Sequence, residues 1–133
     1  MIVADTNLFA YLYIGGEQTS LAEAVFLQDP LWAAPLLWRS EFRNILAGLV
    51  RRKSLTLPVA TDLIRETEGW MKGREYAVVS YHVLDLAAKS GCSAYDCEFV
   101  ALAEDLSVKL VTNDRQILKA FPRIAIAPKD FAG

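Results

Sequence analysis

The chain of 133 residues contains one histidine, two cysteines and no long apolar run. Zinc is an improbable ligand, because His82 is the only histidine and Cys92 and Cys97 have no partners at a zinc spacing. Two cysteines are also too few for a disulfide framework at this length, which favours a reducing compartment. No apolar stretch is long enough to span a bilayer, and no signal-peptide pattern opens the chain. We therefore expect a cytoplasmic protein with no membrane partner.

The sequence also lacks the common nucleotide-binding loops and a strong charge of either sign. Neither G-x-x-x-x-G-K-[ST] nor G-x-G-x-x-G occurs, so nucleotide-binding functions lose their main support. Lys and Arg number 14 against 16 Asp and Glu, a net charge of -2. That balance neither supports nor excludes a nucleic-acid partner. With 53% hydrophobic and 23% charged residues, the composition is that of a globular chain, and the length predicts one domain over residues 1–133.

Short apolar segments alternate with helical patterns along the whole chain. The predicted strands are 2–4, 31–34, 76–79, 108–111 and 124–127. The predicted helices are 6–14, 21–28, 36–53, 57–71, 81–89, 93–106 and 115–120. Thr19 or Ser20 is placed to cap the second of them, Ser80 the fifth and Ser93 the sixth. This alternation predicts an α/β fold: a central parallel sheet of four to five short strands, flanked by helices on both faces.

Two of the predicted strands end in matching clusters of small polar residues. The first strand runs into Asp5-Thr6-Asn7, and the strand at 108–111 runs into Thr112-Asn113-Asp114. Carboxyl ends of central parallel strands meet at one edge of the sheet, which is where open α/β sheets bind ligands. Each cluster alone is also typical of a helix N-cap, since these side chains bond to free N–H groups. Capping does not explain why two such strand ends are paired.

Two further carboxylates lie on predicted apolar helix faces. Glu41 shares a stripe with Leu37 and Ile45, and Asp96 precedes Phe99 by one helical turn. A carboxylate buried alone is costly or is forced neutral, so a bound cation or a basic partner is expected beside each.

Each of these two carboxylates also has a local explanation. Glu41 can form a salt bridge with Arg39, with Arg43 or with a neighbouring helix. Asp96 stands three residues after Ser93, which is the spacing of a capping box with Asp in place of Glu or Gln.

The oxygen donors of these segments suit a hard divalent cation, Mg²⁺ or Mn²⁺. The carboxylates are Asp5, Glu41, Asp96 and Asp114, and the supporting polar residues are Thr6, Asn7, Thr112 and Asn113. Asp5, Asp96 and Asp114 are the expected metal ligands. Glu41 either ligates an ion or holds and deprotonates an attacking water. The sequence leaves open whether one or two ions bind.

The chain resembles the PIN domains, and within them the VapC-type toxins of bacterial and archaeal toxin–antitoxin pairs. The matching segments are 3–7, Glu41 early in a long helix, 95–103 and 110–114, and the resemblance covers essentially the whole chain. It implies a PIN-like fold and a metal-dependent endoribonuclease with Asp5, Glu41, Asp96 and Asp114 as the acidic site. It also implies a homodimer, and an antitoxin that packs over the first helices and obstructs that site.

The basic residues best placed to contact RNA phosphates are Arg39, Arg43 and Arg115.

The sequence also allows other functions. The alternatives are an RNA-processing PIN nuclease without an antitoxin and a non-catalytic α/β module that binds metal and a partner. An aspartyl-phosphate phosphatase with Asp5 as nucleophile is disfavoured, because Asn7 stands where a second acid is needed.

Overall fold

Five short parallel strands form the centre of the protein in the computed structural model, which describes residues 1–133. The strands are β1 (Ile2–Ala4), β2 (Trp32–Pro35), β3 (Glu75–Tyr76), β4 (Leu110–Val111) and β5 (Ala125–Ile126). They lie in the order β3-β2-β1-β4-β5, and every neighbouring pair is parallel. The predicted α/β fold with a central parallel sheet is confirmed.

Eight helices connect and cover these strands. They are α1 (Thr6–Ile14), α2 (Thr19–Gln28), α3 (Leu37–Arg51), α4 (Leu57–Met71), α5 (Ser80–Ser90), α6 (Ala94–Leu106), α7 (Arg115–Ala120) and α8 (Pro128–Ala132). None of these helices has both the length and the apolar character needed to cross a membrane. Ile2, Val3 and Ala4 are all buried although successive strand residues point to opposite faces, so both faces of β1 are covered.

The order of connection places a switch point beside β1. The chain moves from β1 through β2 to β3 on one side of the sheet, and then crosses to β4 on the other side of β1. Open α/β sheets bind ligands at such a point, outside the carboxyl ends of the strands. The backbone N–H of Asp5 donates to the carbonyl of Val111 at 3.1 Å, so the ends of β1 and β4 lie side by side there.

An aromatic cluster fixes α1 and α3 against the sheet. The ring of Phe9 stacks on that of Trp38 with centroids 5.1 Å apart, and it meets Trp32 edge-on at 5.5 Å. All three side chains are fully buried. Such pairs favour defined ring geometries in addition to burying large apolar areas. The cluster therefore sets how the polar starts of α1 and α3 face each other.

Two of the three predicted helix caps are wrong. The helix predicted from residue 21 begins at Thr19, whose hydroxyl donates to the carbonyl of Tyr11 at 2.7 Å, and Ser20 makes no capping bond. The helix predicted from residue 81 begins one residue earlier, so Ser80 lies inside its first turn. Ser93 does cap α6, accepting the N–H of Asp96 at 3.0 Å.

Three strands, β3, β4 and β5, are shorter than their apolar segments suggest. The strand predicted at 76–79 is Glu75–Tyr76, and those predicted at 108–111 and 124–127 each keep two paired residues. Pairing ends where the neighbouring strand ends, and β2 reaches β3 only through Ala34 and Pro35. The tail after residue 127 forms α8, which begins at Pro128 and packs on α2.

Candidate active site

A polar cavity of about 260 Å³ opens at the carboxyl edge of the sheet, at the ends of β1 and β4. Its lining consists of Asp5, Thr6, Asn7, Glu41, Asn44, Ile45, Asp96 and Asp114. All four carboxylates named from the sequence line this cavity. Of the four supporting polar residues, Thr6 and Asn7 also line it, whereas Thr112 and Asn113 do not.

Asp5 is held by hydrogen bonds at both carboxylate oxygens. Oδ1 accepts the backbone N–H of Thr6 at 2.8 Å, and Oδ2 accepts the hydroxyl of Thr112 at 2.6 Å. Burial raises the pKa of Asp5, the two hydrogen bonds lower it in part, and the charges of Asp96 and Asp114 raise it again. The side chain is therefore fixed in orientation but costly to keep ionised.

Thr112 links the carboxylate of Asp5 to the backbone of Asp114. Its fully buried hydroxyl donates to Asp5 and accepts the backbone N–H of Asp114 at 3.0 Å. Asp114 in turn accepts the N–H of Ile117 at 2.9 Å and caps α7. The capping explanation is thus correct for Asp5 and Asp114, and it coexists with their place on the cavity wall. Thr112 acts from behind the cavity, on the side chains that line it.

Glu41 makes no salt bridge, because its partner is a hydroxyl on another helix. Thr6 Oγ1 donates to Glu41 Oε1 at 2.7 Å, which joins the start of α1 to α3. Burial raises the pKa of Glu41; the bond from Thr6 lowers it in part, while the charges of Asp5, Asp96 and Glu98 raise it. Glu41 Oε2 has no hydrogen-bond partner within the protein.

Arg39 is taken up by other acids. Its Nε and one terminal nitrogen donate to the two oxygens of Glu75 at 2.6 and 2.7 Å, and a second terminal nitrogen lies 3.5 Å from Glu68. The salt-bridge alternative for Glu41 is therefore excluded for Arg39. Arg43 is exposed on α3 and borders an apolar groove between α3 and α4, and Arg115 is exposed at the start of α7. RNA contacts by these arginines stay predictions.

Asp96 stands in the first turn of α6 and faces the cavity. Its backbone N–H is bonded to Ser93, but its carboxylate returns no bond to the backbone of Ser93, so only half of the predicted capping box forms. Burial raises the pKa of Asp96, and the neighbouring charge of Asp114 raises it further.

The cavity gathers negative charge without any basic residue. No Lys or Arg lines it, and none of its four carboxylates belongs to an ion pair. Carboxylate oxygens are the hard donors that a divalent cation of the Mg²⁺ type prefers, and a bound cation would also offset the repulsion between these charges. As placed, however, no group of three or more His, Cys, Asp or Glu side chains is positioned to hold a metal ion. Mg²⁺ usually binds through one or two carboxylates and several waters, so the residues fit that ion in chemistry without forming a protein-only cage.

Two polar residues near the cavity were not identified from the sequence. Asn44 lines the cavity one turn after Glu41 on α3. Residues three apart are neighbours on a helix surface, so this spacing could have identified Asn44 from the sequence. Glu98 is half-buried on α6, and its charge raises the pKa of Glu41. It does not line the acidic cavity but a second cavity, at the ends of β2 and β3. Its position two residues after Asp96 points it to another side of the helix, so spacing gave no signal for it.

Comparison with known proteins gives one close match across the chain. Ribonuclease VapC3 of Pyrobaculum aerophilum is 32% identical over 126 residues, covering 92% of this chain and 96% of that protein. The crystal structure of PAE2754 from Pyrobaculum aerophilum matches with a TM-score of 0.77 at 20% identity, over 98% of this chain and 85% of that one. A toxin–antitoxin complex from Klebsiella pneumoniae matches with a TM-score of 0.66 at 16% identity, over 96% and 98%. No family model matches the chain. At these identities the two solved structures bear on the fold alone.

Proposed function

The chain belongs to the VapC ribonuclease family of PIN-domain proteins, and from that premise we propose that it is a metal-dependent endoribonuclease, the toxin of a toxin–antitoxin pair. The nuclease is a single domain over residues 1–133. The observation that carries the proposal is the cavity at the carboxyl edge of the sheet, where four carboxylates from distant parts of the chain meet without a basic residue. A structural role alone does not account for that uncompensated charge.

The ion, Mg²⁺ or Mn²⁺ in one or two copies, would be held by Asp5, Asp96 and Asp114. When bound it supplies positive charge to offset that of the phosphate and makes a nearby water more acidic. Thr112 and Thr6 keep the carboxylates of Asp5 and Glu41 in fixed orientations through bonds of 2.6 and 2.7 Å. Outer-shell bonds of this kind orient first-shell ligands in metal sites generally.

Glu41 is the residue placed to accept a proton. One of its oxygens is bonded to Thr6, and the other has no partner in the protein. In the proposed hydrolysis a water oxygen bonds to the phosphorus of the RNA backbone and its proton passes to Glu41. The bond from phosphorus to one sugar oxygen breaks, and that oxygen leaves as a hydroxyl by taking a proton from solvent water. Arg115, which is exposed and next to Asp114, is proposed to contact a neighbouring phosphate.

Asp5→Asn tests the site directly. Asparagine preserves the shape of the side chain but removes its charge, so we expect RNA cleavage to fall about 10³-fold, equivalent to the several kcal/mol that a bound metal contributes. The measurement is cleavage of a single-stranded RNA by purified protein with Mg²⁺, with Mn²⁺ and with EDTA.

Asp62→Asn is the matched control, because Asp62 is exposed on α4 away from the cavity. Circular dichroism must show both variants folded. Full cleavage by folded Asp5→Asn, or equal cleavage in EDTA, contradicts the proposal.

The proposed partners need separate measurements. The named likeness to a toxin–antitoxin complex supports an antitoxin, and the adjacent reading frame tests it: a small gene whose product copurifies with this chain and blocks cleavage is expected. A cleaving protein without such a neighbour would instead be an RNA-processing nuclease. The proposed homodimer is tested by light scattering on the purified protein, where a mass near twice 14.8 kDa is expected.

A further inference from the structure

A second cavity lies next to the acidic one on the same edge of the sheet. It measures about 500 Å³ and is formed where β2 and β3 end, since Leu36 and Ala77 directly follow those strands and line it. The acidic cavity lies where β1 and β4 end. Neighbouring strands are about 4.8 Å apart, and the β2/β3 pair is centred two strand spacings, about 10 Å, from the β1/β4 pair.

Glu98 is the one carboxylate in an otherwise largely apolar wall. The lining includes Leu36, Tyr76, Val83 and Leu84 together with Glu98. The Glu98 side chain forms no ion pair or hydrogen bond, and burial alone raises its pKa. Glu98 also lies close enough to Glu41 of the acidic cavity for its charge to raise the pKa of Glu41. No donor of the protein occupies the carboxylate oxygens of Glu98, so they are available to accept hydrogen bonds from a ligand.

From this arrangement we propose that the cavity is a nucleobase subsite, in which Glu98 recognises the base next to the cleaved phosphate. The inference rests on the proposed ribonuclease function. Single-stranded RNA is read by splaying bases into apolar pockets, where they stack on aromatic rings and hydrogen-bond through their Watson–Crick edges. Tyr76 supplies the ring and Glu98 the acceptor. The volume lies within the range of about 300–1,000 Å³ typical of small-ligand pockets.

Guanine is the base that this wall fits. Its Watson–Crick edge carries two neighbouring N–H donors, which match the two acceptor oxygens of a carboxylate. Adenine and cytosine each place an acceptor beside their amino group, and that acceptor repels the second oxygen. The chemistry therefore predicts a guanine preference beside the cleaved bond.

A second copy of the chain is the competing occupant, because Leu36 and Leu84 are 51% and 63% exposed. Two observations favour the base. The cavity opens at the carboxyl edge where open α/β sheets bind their ligands. A protein surface closing over Glu98 would also bury a charge without a partner, which is strongly unfavourable.

The test measures base discrimination with and without the carboxylate. In the cleavage-deficient Asp5→Asn background, fluorescence anisotropy gives the affinity for labelled uridine hexamers with a central guanosine, adenosine or cytidine. Glu98→Gln leaves one acceptor oxygen and adds a donor, so we expect the guanosine preference to fall about tenfold or more, the usual value of a bidentate base contact. Glu23→Gln, exposed on α2, is the matched control and is expected to keep the preference.

Mapping of cleavage ends in a random RNA pool, with wild type and Glu98→Gln, gives the same comparison in the active enzyme. No guanosine preference in the parent protein, or an unchanged preference in Glu98→Gln, overturns the proposal. If Leu84→Glu converts a dimer to a monomer, and adding Glu98→Gln to that monomer leaves base discrimination unchanged, the cavity holds a second copy and the proposal is also overturned. If guanosine-selective binding depends on Glu98 but the wild type cleaves no RNA, the subsite stands and the proposed nuclease function fails.

Discussion

Replacing Thr112 with valine removes the hydroxyl that joins the Asp5 carboxylate to the backbone N–H of Asp114. Valine has nearly the same shape, and the site is fully buried, so the loss is that of two hydrogen bonds. A hydrogen bond to a charged group contributes about 1.5–3 kcal/mol. The N–H of Asp114 also loses its acceptor, so we expect Thr112→Val to lower the free energy of unfolding by about 2–4 kcal/mol at pH 7.

The loss depends on pH with a defined sign. The Thr112 hydroxyl favours ionised Asp5, so it holds the pKa of Asp5 below the value that burial alone would give. Its contribution is present above that pKa and fades as Asp5 takes up a proton on acidification. The stability difference between Thr112→Val and wild type therefore shrinks as pH is lowered.

Thr112→Ser is the matched control, because it keeps the hydroxyl and removes one buried methyl group at a cost of about 1 kcal/mol. The assay is urea unfolding in EDTA from pH 4 to pH 8, followed by RNA cleavage with Mg²⁺. Cleavage is expected to fall about 10- to 100-fold in Thr112→Val, the usual cost of losing an outer-shell bond to a metal ligand, and far less in Thr112→Ser. Equal losses in the two variants, or a Thr112→Val protein within about 0.5 kcal/mol of wild type, would refute the reasoning.

Two further outcomes follow from the charges of the structure. Mg²⁺ or Mn²⁺ should raise the melting temperature of wild type but not of Asp5→Asn. At a metal concentration a hundred times Kd, the free energy of unfolding of wild type should rise by about 2.7 kcal/mol. An equal rise in melting temperature in both variants places the ion elsewhere. Glu75→Gln should lower the free energy of unfolding by about 1–3 kcal/mol at pH 7. The reason is that hydrogen bonds from Arg39, and to a smaller extent from Trp38, hold the pKa of Glu75 below its ordinary 4.5. That stabilisation is present above pH 4.5 and disappears as pH falls through the lowered pKa, so the two proteins should converge in acid urea titrations, and a constant difference contradicts the assignment.

Local signals predicted the elements whose ends depend on neighbouring residues in the chain. Helix α1 begins after Asp5 and α7 after Asp114, both as predicted, because each aspartate caps its own helix. The extent of β3 could not be predicted, since it depends on how far β2 runs alongside. Ser20 failed as a cap because α2 begins before it, where Thr19 bonds to Tyr11 of another helix.

The gathering of the carboxylates was predictable, but their partners were not. Paired strand ends placed Asp5 near Asp114, and an acid on an apolar helix stripe singled out Glu41. Whether Glu41 would meet an arginine or a hydroxyl depended on which face of α3 packs on α1, and the structure gives it Thr6.

The sequence by itself determined the α/β fold with its parallel sheet, and it identified the four carboxylates that line one cavity. Both follow from hydrophobic periodicity and from the polar residues at strand ends, which are local properties of the chain. Only the tertiary structure decided what each acid touches: Thr112 behind Asp5, Thr6 on Glu41, and Arg39 withdrawn to Glu75. It alone also brought Glu98, in the wall of the larger neighbouring cavity, close to Glu41. The physical reason is that spacing along one helix fixes a direction from its axis, whereas contact requires the packing of two elements against each other.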